Sequence, residues 1–217
     1  MELEKIYYQF GALICHQIPD RTLHVGGKLL PVCARDTGIY IGMFIALIYL
    51  CLKGRWKCDK PPKLALTVIL CIFFIPMGLD GITSYLGLRP TTNMIRIISG
   101  CFFGLAIPFF MIPIANFKVS APNTHPSLES YKELLILGGT VLLAGLTVHN
   151  GWIHNWWFVS TIIVFTILFI YFRICYTIVV QLVNWPYIYR VLLAGLFESI
   201  IFGMLFLFRI YVFPVLV

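Results

Sequence analysis

The stretch "CHQIPDRTLHVGGKLLPVCARDTG", residues 15–38, concentrates the side chains best suited to chemistry. Cys15, His16, Cys33 and Asp36 are all types that ligate zinc or another divalent transition metal, and His24 lies between them. Cys33 and Asp36 are separated by two residues, a gap that lets neighbouring ligands converge on one ion. Cys15 and His16 are adjacent, which is less usual for two ligands of the same metal. Gly26, Gly27 and Pro31 supply a turn that could fold the two halves together. A Cys15–Cys33 disulfide and a pair of free thiols under a lipid-facing cap stay open beside the metal site.

A second stretch, "PMGLDGITSYLGLRPTTNMIRIISG" at residues 76–100, is suited to anions. Asp80 is expected to close one helix, Gly81 and Gly87 to make tight turns, and Pro90 to open the next helix. Arg89, Asn93 and Arg96 then follow at spacings of four and three, on one helical face. Gly100 continues that face and would admit a neighbouring helix closely. Charged groups at membrane depth turn toward a partner or a wet cavity, and Asp80 is the expected partner of Arg96. Such a set is either a structural ion pair or a site in which Asp80, Arg89, Asn93 and Arg96 act on an anion. Guanidinium groups match carboxylate and phosphate oxygens in a bidentate way.

Secondary candidates are His149 and His154 in "TVHNGWIHNWW" and Glu198 in "LLAGLFESIIFG". The two histidines do not share a helical face but could converge through the turn at Asn150 and Gly151, although histidines beside interfacial tryptophans are common. Glu198 lies in an apolar run and should be neutral or paired, with a proton-carrying or structural role.

These groups must be positioned by transmembrane helices. Of 217 residues, 60% are hydrophobic and 12% charged, against about a quarter charged in soluble domains. No water-facing surface can be built from that composition, so the expected fold class is all-α, a polytopic helical bundle. Six spans are expected, at 37–53, 64–79, 94–115, 134–149, 155–182 and 189–216. Residues 4–14 are expected to form an interfacial or partly inserted helix. Residues 1–36 then hold the interfacial segment and the Cys/His loop, 37–115 the first three spans, and 116–217 the last three, in a single membrane domain. The start "MELEKIYYQFGALICHQ" is acidic, and its apolar stretch is broken by Gln9 and Gly11, so targeting is expected from the first span.

The loop "KGRWKCDKPPK" carries five basic residues and is expected on the cytoplasmic side. Counting spans from it puts the Cys/His loop, the Arg89 segment and "HNGWIHNWW" together on the extracytoplasmic side of a multi-pass cell-membrane protein. The net charge of +7 is accounted for by topology and lipid phosphates rather than by nucleic acid. The five tryptophans read as interfacial anchors, and Cys51, Cys71, Cys101 and Cys175 as small buried hydrophobes.

"CHQIPDRT", "LPVCARDTGIYIG" and "LDGITSYLGLRPTTNMIRIISGCFFG" together resemble a widespread archaeal and bacterial family of small polytopic membrane proteins, catalogued as a domain of unknown function. The family pattern runs C-H-Q-x-P-x-R-[ST], then C-A-R-C-T-G, then L-D-G-x-T-Q-x-x-G-x-R-x-S-T-N. The resemblance covers residues 15 to about 105 and implies no activity. It implies that Arg21 and Arg35 matter alongside Cys15, His16, Cys33, Asp80, Arg89, Asn93 and Arg96. The chain departs from the pattern at Asp36, where the family has cysteine, which weakens a paired-thiol account and suits a mixed-ligand catalytic site.

The expectation is a membrane-embedded enzyme acting on an anionic lipid or polyprenyl-type substrate at the outer face. Cys15, His16, Cys33 and Asp36 would hold zinc or another divalent ion, Arg21, Arg35, Arg89 and Arg96 the anion, and Asp80 would be a base or orient an arginine. Two other classes stand beside it. A transporter or channel would place Arg96 and Glu198 along a path between the two faces, but no inverted repeat is visible. An accessory subunit would use the polar cluster to dock a membrane-complex partner or a second copy of the chain.

Overall fold

The computed structural model describes residues 2–117 and 122–211. Its helices are α1 (Glu2–Ala12), α2 (Ala34–Leu52), α3 (Leu64–Ile72), α4 (Phe74–Tyr85), α5 (Asn93–Asn116), α6 (Tyr131–His149), α7 (Trp156–Leu182) and α8 (Tyr187–Tyr211). The chain folds as an all-α bundle. Counting α3 and α4 as one stretch interrupted at Phe73, six helices among the described residues are long and apolar enough to cross a membrane. The expected end of the last span, 212–216, lies outside the described residues. At 11 residues, α1 is too short to span.

Glycine sets the centre of the bundle. A Cβ placed on Gly38 or Gly42 of α2 would fall 2.2 Å from the Ile97 carbonyl oxygen or 2.3 Å from that of Cys101. One placed on Gly100 or Gly104 of α5 would fall 2.2 Å from the Arg35 oxygen or 2.0 Å from that of Ile39. Each helix thus carries two glycines four residues apart, and the two backbones touch along a seam that no side chain could enter. Around it pack the fully buried Leu50, Leu105, Phe109 and Ile112, with Ile163 and Ile167 from α7. In contrast, α3–α4 and especially α8 lie at the periphery, with most of their apolar side chains exposed. Cys101 and Cys175 are buried, but Cys51 and Cys71 face outward from α2 and α3, against expectation.

Several helix boundaries differ from the expected ones, and two of the differences move the charged residues of the 76–100 stretch. The second span runs on past Asp80 to Tyr85, because Gly81 is accommodated as a helical residue and the Thr83 hydroxyl folds back onto the Leu79 carbonyl at 2.6 Å. The next helix begins at Asn93 rather than Pro90, since Thr92 caps it by accepting from the Ile95 N–H at 3.3 Å. Asp80 therefore sits inside a helix, Arg89 in the connecting loop, and Arg96 in the first turn of α5.

The two ends of the bundle are built differently. At the lysine-rich end, Arg55 grips both oxygens of Glu133 at 3.0 and 3.1 Å and reaches Glu129 at 2.9 Å, tying the α2–α3 loop to the start of α6. At the opposite end, a hairpin of β1 (His24–Val25) and β2 (Lys28–Leu29) turns through Gly26 and Gly27, both at positive φ. Its tip abuts the α6–α7 turn so closely that a Cβ on Gly26 would lie 2.3 Å from the His154 carbonyl oxygen. The Leu29 carbonyl accepts from the Trp156 indole at 2.7 Å and the Tyr8 hydroxyl at 2.5 Å. Trp156 is thus a buried hydrogen-bonding wedge rather than an interfacial anchor.

Candidate functional site

All three polar stretches singled out in the sequence meet at this hairpin end. Cys15 follows α1, and Cys33 is the N-cap of α2, so the loop between them must double back to bring the thiols together. Gln17 makes the turn. Its backbone is left-handed (φ 51°), unfavourable for a side-chain-bearing residue, and its Nε2 holds it there by donating to the Tyr8 and Pro31 carbonyls, both at 2.7 Å.

The result is a compact ligand set. One ligand atom from each of Cys15, Cys33 and Asp36 lies within 4.8 Å of the others. The Cys33 N–H donates to the Cys15 sulfur at 3.2 Å, and the Cys33 thiol to Asp36 Oδ2 at 3.3 Å. Both cysteines are free thiols. Cys33 has the lower pKa of the two, shifted below an ordinary thiol because Cys15 can donate to its thiolate. Cys15 is shifted above, first by that same hydrogen bond and then by burial. Two thiols and a carboxylate at this separation could hold a metal ion. His16 falls outside the three-residue group but lines the same cavity.

That cavity, about 210 Å³, puts the ligand set beside the guanidinium groups of Arg21, Arg35 and Arg96. Among the described residues Asp36 is the only carboxylate along its wall, beside three guanidinium groups, so the cavity carries a cationic surplus. A second, mostly apolar cavity of about 190 Å³ shares Ile14, Cys15 and His16 with it and runs on between the end of α1 and Leu205 and Phe208 of α8.

Asp80 does not pair with Arg96. It is fully buried, and both of its oxygens are engaged: Oδ2 by Arg35 at 2.5 Å, and Oδ1 by Arg89 at 3.1 Å and the Thr91 hydroxyl at 2.5 Å. Arg35 reaches it from α2, a contact between residues 45 apart in sequence, and Arg89 reaches back from the loop because α5 starts late. Arg96 instead donates to the Asn93 side chain at 3.0 Å, while the Asn93 amide donates to the Asp20 carbonyl at 3.2 Å, tying α5 to the Cys/His loop.

The remaining candidates lie apart from this group. His149 is half-buried with an unpartnered Nδ1, His154 is exposed beside the hairpin tip, and Glu198 faces a separate lateral cavity. Sequence reasoning passed over Gln17 and Thr91, which nothing but the fold marks out. It also passed over Arg173, a lone arginine in the apolar run "LFIYFRICYT". Arg173 is buried in α7 with its guanidinium 5.4 Å from the ring centres of both Trp56 and Tyr176.

Residues 15–110 match the model of a family described as predicted membrane proteins (DUF2085). An uncharacterized protein of Methanocaldococcus jannaschii is 38% identical over 108 residues, which cover 49% of this chain and 67% of the relative. An uncharacterized protein of Methanothermobacter thermautotrophicus is 38% identical over 96 residues, covering 43% of this chain and 80% of the relative. No solved structure matches the chain. The family match contains the whole cysteine–arginine group and stops within α5, before α6–α8.

Proposed function

The chain belongs to the DUF2085 family of predicted membrane proteins, and from that premise we propose a membrane-embedded, metal-assisted enzyme acting on an anionic lipid or polyprenyl-type substrate. One observation carries it: a three-residue ligand set opens into a cavity whose other charged side chains are guanidinium groups. Cys15, Cys33 and Asp36 would hold a zinc-class ion, with His16 at the rim as a further ligand or proton carrier. Such an ion supplies Lewis acidity toward a phosphoryl or carbonyl oxygen. Arg96 and Arg21 take up the anionic group. Arg35 joins them on a guanidinium already anchored by Asp80, which holds it in place at no further ordering cost when the anion arrives. With three donors on its two oxygens, Asp80 positions the arginine rather than acting as a base. Asn93 orients Arg96 in the same way.

The adjoining apolar cavity favours an amphiphile over a soluble anion, since an acyl or prenyl chain would lie against Leu205 and Phe208 while the head group meets the arginines. The lysine-rich loop at the other end of the bundle supports an extracytoplasmic position for the site. Elemental analysis of protein purified in detergent is expected to find about one equivalent of zinc or iron, lost in Cys33→Ser. Equal metal in the wild type and the variant refutes the assignment. Metal-free protein with a Cys15–Cys33 crosslink by mass spectrometry replaces it with a stapled structural loop.

A further inference from the structure

Glu198 has no role in the cysteine–arginine group. It sits near the middle of α8, half-buried, with Oε1 shielded and without a hydrogen-bond partner. None of the ion pairs among the described residues includes it. A carboxyl at mid-span is costly and is kept where something offsets it.

Its surroundings indicate what that is. Glu198 opens into a cavity of about 530 Å³ between α1, α7 and α8, walled by Phe10, Phe165, Phe169, Phe172 and Phe202. Phe165 and Phe169 stack with ring centres 6.1 Å apart, and Phe10 and Phe202 meet edge to face at 6.0 Å. Phe165 is 54% exposed, so the cavity opens sideways, toward the lipid. Among the described residues no lysine or arginine lines it, and it shares none with the two cavities at the cysteine end. An acyl chain would fill the ring-lined part but leave the carboxyl unused. An inorganic cation requires several oxygens, and beyond Glu198 the wall offers the Ser199 hydroxyl, already committed to the Gly195 carbonyl at 2.8 Å. Aromatic rings around a single carboxylate match a bulky organic cation with its charge spread beneath an apolar surface.

We propose that this cavity is a binding site for lipophilic organic cations, with Glu198 as counter-charge and the five phenylalanines as contact surface. The site is independent of the metal-assisted reaction proposed above.

Tetraphenylphosphonium and tetraphenylborate have the same shape and opposite charge, so equilibrium dialysis of the detergent-solubilised protein against each separates charge recognition from greasiness. Wild-type protein is expected to bind the phosphonium saturably and the borate only to the extent the micelle does. Glu198→Gln is expected to weaken phosphonium binding at least about tenfold, as loss of a charge pair in low dielectric requires. Phe165→Ala, at a position 54% exposed, is expected to weaken it severalfold with the carboxylate intact and the protein's melting temperature near that of the wild type. Equal wild-type affinity for the two ions, or phosphonium binding unchanged in a Glu198→Gln protein of wild-type melting temperature, overturns the proposal and leaves an acyl-chain slot with a protonated carboxyl.

Discussion

Asp80→Asn tests the charge arrangement of the candidate site. The native carboxylate takes a charged donor on Oδ2 and two donors on Oδ1, with no exposed surface. Asparagine keeps one acceptor oxygen and replaces the other with an amide donor. Whichever way the amide turns, the Arg35 guanidinium loses its counter-charge. Arg35 is 14% exposed in its side chain and would remain as a buried, uncompensated cation, which costs about 3–5 kcal/mol. For a chain of this size that lowers the melting midpoint by roughly 6–20 °C. Arg89, 42% exposed, makes the weaker arm of the same group, and Arg89→Gln should cost under about 1 kcal/mol once solvent screening is allowed for. Thermal unfolding of detergent-purified variants by tryptophan fluorescence reads both. A loss in Arg89→Gln equal to that in Asp80→Asn, or an Asp80→Asn midpoint within about 2 °C of wild type, refutes the idea that Asp80 chiefly anchors Arg35.

Glycine and arginine variants test the two other supports of the bundle. Gly104→Ala should cost at least about 3 kcal/mol, because its methyl would lie 2.0 Å from a backbone oxygen that cannot move alone, whereas Gly139→Ala meets nothing within 4 Å and should be neutral or stabilising by up to about 1 kcal/mol; equal melting temperatures for the two would discount the seam. Arg55→Gln leaves Glu133 without its bidentate partner and should cost about 2 kcal/mol while speeding trypsin cleavage at Lys57 and Lys63; a digestion rate like that of the wild type counts against that tie.

The spans were legible because a membrane imposes a length and a hydropathy that composition cannot disguise, and the second and fifth begin within one residue of expectation. The ligand set was legible in part: Cys33 and Asp36 were marked by spacing and Cys15 by its type, but His16 falls outside the group, and the left-handed turn at Gln17 that folds the loop back is not encoded in spacing. The Asp80 partnership was misread for a reason of helix phase. Moving the start of α5 from Pro90 to Asn93 takes Arg89 off the Arg96 face and frees it to reach back. The decisive partner, Arg35, comes from a different helix, and no local rule links residues 45 apart. Glu198 was marked by its polarity, but its ring of phenylalanines comes from three helices and emerged only from their packing.

The contact between α2 and α5 also bears on how the protein answers the thickness of its bilayer. A helix mismatched to the hydrocarbon layer tilts or slides until its ends are comfortable. The α3–α4 stretch is tied to α2 at one end by the Asp80–Arg35 pair, and peripheral α8, least buried of the spans, is the freest to do so. The pair α2–α5 is not free, because its backbones interlock at four glycines and any slide of one past the other drives a carbonyl into the facing chain. Arg35 and Arg96 stand at one end of that pair, with Gly100 touching the Arg35 backbone. The spacing between the two guanidinium groups is therefore carried by a single rigid strut, and lipids of different chain length would leave it unchanged while reshaping the outer helices around it.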